Sequence, residues 1–91
     1  MSKVTLKGFI VVPEQDLEIV KHELENHKML TLQEPGCLIF KVIQDEVDST
    51  RFDVYEEFVD RKSFESHQNR VRGSHWGEVT SNVERHYEIF E

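Results

Sequence analysis

Apolar and polar positions alternate at the start of the chain. In KVTLKGFIVV, residues 3–12, Val4, Leu6, Gly8, Ile10 and Val12 point one way and Thr5, Lys7, Phe9 and Val11 the other, which predicts a first strand. Beyond Gly8 both faces carry apolar side chains, so neither is wholly wet there. Gly8 removes a side chain in mid-strand, which marks a bulge or the close approach of another group. Pro13 stops the strand and suits the first position of a helix. The period then changes. Leu17, Val20, Leu24 and His27 or Lys28 recur at helical spacing, with Glu14, Asp16 and Glu18 early and His27 and Lys28 late, so an amphipathic helix is predicted over about residues 14–31. His22 lies off this stripe and reads as a solvated surface residue.

Glu34-Pro35-Gly36 supplies a turn. Residues 37–44 predict a second strand in which Leu38, Phe40 and Val42 form one apolar face and Cys37, Ile39, Lys41 and Ile43 a mixed one. The polar loop DEVDST makes a hairpin with a third strand, RFDVYEEFV, rich in aromatic and β-branched residues. Asp60 is placed to cap the helix that follows, and Phe64 and His67, three apart, share the face that turns toward the sheet. Residues 68–73 are polar and read as a loop or frayed helix end. Ser74 can cap a short helix carrying Trp76, Val79 and Val83, and residues 85–90 alternate as a last strand. The order β-α-β-β-α-α-β predicts an α+β fold of two layers, a four-stranded antiparallel sheet with helices on one face. The strands are apolar on both sides and need two covers. The helices supply one, and a second copy of the chain is the economical source of the other.

Composition narrows the functional classes. Ninety-one residues make a single domain, residues 1–91, and a chain this short buries a small share of its surface, which also favours a homodimer. The net charge of −7 and the lack of any Lys/Arg block exclude nucleic-acid binding, which needs a basic footprint. No signal peptide and no apolar run long enough to span a bilayer is present, so a cytoplasmic protein without a membrane partner is expected. The single cysteine, Cys37, has no neighbour of its own kind for a disulfide and no adjacent base. Five histidines occur without a His-x-x-x-His pair, so no metal site and no metal cofactor are expected.

One juxtaposition can carry chemistry. The strand-to-helix reversal at residues 51–67 brings His67 back over Glu56, placing an imidazole and a carboxylate under aromatic side chains, where proton transfer near neutral pH is feasible. Phe40, Phe52 and Trp76 are the candidate walls of such a pocket, with Trp76 equally suited to plain core packing. A His67 that only ties its helix to the strand is the competing interpretation.

The Pro-led helix after the first strand, the EPGCLIFKVIQD turn and strand, YEEF followed by Asp60, and His67 seven residues later together resemble the antibiotic biosynthesis monooxygenase family. The resemblance covers nearly the whole chain and is most specific over residues 34–67. It implies a ferredoxin-like fold, a dimeric α+β barrel in which two sheets pack face to face, and a pocket between each subunit's sheet and its helices. It further implies a cofactor-independent monooxygenase acting on a small phenolic or quinol-like molecule. Isomerase-type processing of a small oxygenated metabolite such as an autoinducer-2-like signal is the alternative within the family, and a non-catalytic dimeric ligand-binding domain the alternative outside it. Carried over by position are Tyr55, Glu56 and Phe58 in YEEF, and His67, with Glu56 and His67 as the catalytic pair. The chain departs from the haem-degrading branch, since its first strand has no Asn.

Overall fold

The computed structural model describes residues 2–91. The alternation at the N-terminus becomes β1 (Val4–Val11), whose side chains Val4, Leu6 and Ile10 are buried beneath the helices. Pro13 sits just before the first helical residue, and a single 3-10 turn over Glu14–Asp16 leads into α1 (Leu17–Leu32). The helix therefore begins three residues later than its acidic start indicated. Its inward stripe is Val20, Leu24, His27 and Thr31, so the apolar row continues into two polar side chains that are equally buried.

β2 (Cys37–Gln44) and β3 (Arg51–Phe58) form the expected hairpin, and the Asp45 carboxylate accepts from the backbone N–H groups of Val47 and Asp48 to hold its loop. One irregularity corrects the predicted face of β2. A bulge between Cys37 and Ile39 pairs Cys37 with Phe58 and Ile39 with Glu57, so Leu38 is pushed out and is 53% exposed while Phe40 stays buried. A bulge of this kind shifts side-chain parity, which a strict two-residue period cannot foresee.

Asp60 caps α2 (Arg61–Arg72) by accepting from the Ser63 N–H at 2.8 Å. Residues 68–72 belong to this helix and are not a frayed end: Gln68, Asn69 and Arg72 are merely its outer face, while Val71 packs against the core. Ser74 caps α3 (His75–Val79) through the Gly77 N–H, and Val83 lies beyond the helix in the turn before β4 (Glu84–Phe90), still buried.

The sheet order is β2-β3-β1-β4 with every neighbouring pair antiparallel. Two β-α-β arms thus interleave, which is the ferredoxin-like arrangement, and both arms lay their helices on one face. The core lies in that layer, around Val4, Leu6, Val20, Phe52, Phe58 and Phe64. The edge strand β4 is exposed along its whole length. The opposite face of the sheet is uncovered: Lys7, Phe9, Lys41, Ile43, Arg51 and Tyr55 line a shallow depression of about 750 Å³. There the Arg51 guanidinium lies 3.8 Å above the Phe9 ring, and Phe9 stacks on His86 at 4.6 Å.

Gly8 explains how β4 docks. It stands opposite Tyr87, and a Cβ placed on it would come within 1.9 Å of the His86 carbonyl oxygen. The obstructing atom is backbone, which cannot swing aside as a side chain would. Gly8→Val is therefore expected to destabilise the fold by about 1–3 kcal/mol through overpacking, measured by urea denaturation; a variant as stable as wild type would show that β4 does not rely on this close approach.

Candidate active site

His67 comes to its position because Asp60 fixes the start of α2 and Phe64 anchors the same face, its ring 5.7 Å from that of Phe58. From there the imidazole enters the space between sheet and helices and is 3% exposed. Its Nδ1 is 2.8 Å from Glu34 Oε1, and its Nε2 is 3.7 Å from Glu56 Oε1. The ring is thus held between two carboxylates. Glu56 points inward because it shares the parity of Phe52, Val54 and Phe58 on β3, all of them buried.

Glu34 organises this arrangement from the turn after α1. While one of its oxygens faces His67, the other accepts from Arg70 Nε at 2.7 Å, and Arg70 also donates to Thr31 Oγ1 at 3.0 Å. Arg70 lies three residues after His67 on α2, so one helical face carries both the imidazole and the guanidinium that secures its partner. A carboxylate at Nδ1 favours the tautomer with hydrogen on that nitrogen, leaving the Nε2 lone pair toward Glu56.

Aromatic rings enclose the pair. Phe58 lies 4.9 Å from the His67 ring and Phe40 6.4 Å. His27 follows at 5.9 Å, stacked on Trp76 at 4.6 Å and edge-on to Phe40 at 5.3 Å. Of the wall residues expected from the sequence, Phe40, Phe58 and Trp76 gather around the two imidazoles. Phe52 and Tyr55 do not. Phe52 is buried on the correct face, but it pairs with Ile10 and Gln44 at the far end of β3 from Glu56. Tyr55 has the opposite parity, bonds to Glu57 and lines the uncovered face of the sheet.

Four participants were not singled out by sequence. His27 and Thr31 carried a signal, since they continue the Val20–Leu24 stripe of α1, and Arg70 sits at helical spacing from His67. Glu34 carried none for this role: it opens the EPGC turn of the resemblance and is brought to His67 across 33 positions of chain by packing alone.

Burial sets the electrostatics. The Glu56 carboxyl is pushed up to about 7, chiefly by loss of solvent and further by the charge of Glu34. His67 is pushed below the ordinary imidazole range by burial, partly opposed by the charge and hydrogen bond of Glu34. His27 is lowered to about 3 by burial, with the charges of His67 and Arg70 adding to it. Burial, then Glu34 and Glu56, raises the Cys37 thiol, which disfavours a thiolate there. With the imidazole's proton affinity lowered and the carboxyl's raised, both groups are moved toward their neutral forms, and a neutral imidazole facing a protonatable carboxyl is a pairing able to pass a proton.

Clefts reach the surface on either side of this centre. One, of about 300 Å³, includes Glu34, Cys37, Phe58 and Arg70 in its lining; the other, of about 360 Å³, includes His27, Arg70 and Trp76. No cluster of three or more potential metal ligands occurs among the described residues, and no helix among them is long and apolar enough to cross a membrane.

Residues 5–78 match the family model described as antibiotic biosynthesis monooxygenase. The chain belongs to this family. Solved structures agree on the fold. A conserved protein of Bacteroides thetaiotaomicron, described as a possible oxidoreductase, is similar with a TM-score of 0.85 at 19% identity, over 99% of this chain and 97% of its own. A Nitrosomonas europaea protein described provisionally as an antibiotic biosynthesis monooxygenase has a TM-score of 0.78 at 22% identity, over 97% of this chain and 85% of its own. A Pseudomonas aeruginosa protein has a TM-score of 0.80 at 24% identity, over 99% of this chain and 91% of its own. No curated protein matches the sequence significantly.

The raised Glu56 group makes a thermodynamic prediction about this family member. A carboxyl held at about 7 when folded, against an ordinary 4.5, contributes stability that is fully present below 4.5 and lost as pH rises through 7. His27, held at about 3 against an ordinary 6.5, does the reverse, its contribution being lost as pH falls from 6.5 toward 3. In wild type the two oppose each other. Glu56→Gln removes only the first, so relative to wild type the variant should gain about 2–3 kcal/mol in unfolding free energy between about pH 5 and about pH 8. Urea titrations at the two pH values check this, and an unchanged difference between the proteins would show that Glu56 ionises as an ordinary surface carboxylate.

Proposed function

We propose that this chain is a cofactor-independent monooxygenase that oxidises a small phenolic or quinol-like molecule with dioxygen. The observation that carries the reading is the placement of His67 between Glu34 at 2.8 Å and Glu56 at 3.7 Å inside an aromatic enclosure. In this reading Glu34 orients the ring and His67 Nε2 takes the hydroxyl proton of the substrate. The resulting anion is electron-rich and gives one electron to dioxygen. Recombination of the radical pair forms a carbon–oxygen bond, and the peroxide loses water to leave a carbonyl. The ring carbon gives up its hydrogen and gains one oxygen; the other oxygen departs as water, carrying that hydrogen and the one from the hydroxyl. The substrate itself is the reductant. Glu56, whose raised proton affinity keeps a proton available near neutral pH, is the donor that assists loss of water. Exclusion of solvent by Phe40, Phe58 and Trp76 protects the anion and the peroxide from side reactions.

The partner in this reading is a second copy of the chain. The uncovered face offers Phe9, Ile43 and Tyr55 among both cationic and acidic side chains, and a chain of this size gains stability by covering it. Sedimentation at micromolar concentration is expected to give a dimer, and a single 10.8 kDa species would remove the barrel from the proposal.

Oxygen uptake with a panel of hydroquinones and naphthols tests the chemistry. His67→Ala should lower kcat by about a hundredfold or more, whereas Glu34→Gln should retain part of the rate and move the pH profile, because the ring keeps its place but loses the adjacent negative charge. A folded His67→Ala protein with wild-type uptake would rule out the assigned base. A wild-type protein inert to every member of the panel would leave isomerase-type processing of a small oxygenated metabolite and ligand binding without turnover as the readings.

A further inference from the structure

The uncovered face of the sheet carries charge in a pattern that a single chain leaves incomplete. Strand pairing sets its side chains in rows across β2, β3, β1 and β4, because residues directly opposite one another share a face. One row reads Lys41, Tyr55, Lys7, Glu88, flanked on one side by Ile39, Glu57, Thr5, Phe90 and on the other by Ile43, Asp53, Phe9, His86. The two outer strands are therefore unlike. β2 presents Ile39, Lys41 and Ile43 to this side, with Lys41 as its one charge, whereas β4 presents Glu84, His86, Glu88 and Phe90.

Several charges on this face find partners within the sheet: Lys3 with Glu57 at 3.2 Å, Arg51 with Asp53 at 3.1 Å and His86 with Glu84 at 3.7 Å. Lys41 and Glu88, both exposed, have no ion-pair partner among the described residues. They also cannot meet within one chain. They stand on opposite edges of a four-stranded sheet, about 14 Å apart at the usual spacing between strands.

A second copy laid on this face changes that, and the charges select how it lies. Stacked sheets sit about 10 Å apart, a gap that a lysine and a glutamate reaching from opposite sides can close. A two-fold axis between the sheets runs either along the strands or across them. Along the strands, every row meets itself reversed, so β2 lies over the β4 strand of the other copy. Lys41 then faces the partner's Glu88, Ile39 the partner's Phe90, and Lys7 the partner's Tyr55. Across the strands, β2 lies over β2 and β4 over β4, which brings the two Lys41 edges together and gathers Glu84 and Glu88 of both copies along one seam. Opposed like charges disfavour the second arrangement.

We propose that two copies of this chain stack their uncovered faces about a two-fold axis running along the strands, with Lys41 of each copy paired to the partner's Glu88. The inference rests on the second copy proposed above and is independent of the oxidation. What it adds is the orientation of the two sheets and the residues that enforce it. The symmetry repeats the pair at two seams, so one substitution acts twice in each dimer.

Sedimentation of the full chain over a range of concentrations tests this. Lys41→Glu and Glu88→Lys should each raise the dimer dissociation constant by about tenfold or more, since either change sets like charges together at both seams. An equimolar mixture of the two variants should recover the wild-type constant, because each seam of the mixed dimer again has one acid facing one base, and the double variant should recover it alone. Wild type, which needs no variant to fold, should dimerise several-fold less tightly in about 1 M than in about 0.1 M salt. A Lys41→Glu protein as tightly dimeric as wild type, a mixture that stays dissociated, or wild-type dimerisation indifferent to salt would each overturn the proposal. A dimeric wild type indifferent to charge reversal removes only the orientation, whereas a monomeric wild type removes the second copy with it, so the two failures are distinguishable.

Discussion

The contact between Glu34 and His67 fixes the geometry of the interior. Glu34 lies in the turn that ends α1 and His67 in the second turn of α2, so this bond joins the two helices at the level of the sheet. Without a carboxylate at Nδ1 the buried imidazole would lack a partner, and without Arg70 at its other oxygen the carboxylate would itself be poorly compensated. A partly buried pair of this sort is weak evidence for stability, because desolvation offsets much of the attraction. Its value is geometric: it fixes which nitrogen of His67 faces Glu56.

Placing ionisable groups in this layer has a thermodynamic cost that the rest of the core must offset. Glu56, His27 and His67 all have proton affinities moved toward their neutral forms by burial. They occupy positions that Leu or Phe would fill without penalty, among Phe40, Phe58 and Trp76. Perturbed groups concentrated in one place are a recognised mark of a functional centre, although structural networks produce them too. Here the perturbation coincides with two clefts opening on either side, and both observations point to the same layer.

The sheet divides the molecule into two unlike surfaces. Even-numbered positions of β1 and β3 meet the helices and build the core. Odd-numbered positions of those strands project to the uncovered face, where Phe9 is gripped between Arg51 and His86. Tyr55 illustrates the consequence. It neighbours Glu56 in sequence, yet the pleat sends the two side chains to opposite sides of the sheet, so adjacency along the motif says nothing about adjacency in the site.

Local pattern determined the order of elements, the Asp60 and Ser74 caps, the singling out of Gly8 as either a bulge or a point of close approach, and the placing of His67 over Glu56. Each of these follows from periods of two and 3.6 residues or from backbone groups that a neighbouring side chain must satisfy. Three things were decided only by tertiary structure. The bulge at Leu38 depends on how β2 aligns with β3, and Glu34 reaches His67 only when α1 and α2 pack side by side. Phe52 and His27 exchange roles for the same reason: Phe52 is on the right face but too far along its strand, while His27 comes from a different helix to complete the aromatic layer. Periodicity assigns a side chain to a face; its depth along that face, and the loops that arrive beside it, depend on the docking of distant segments.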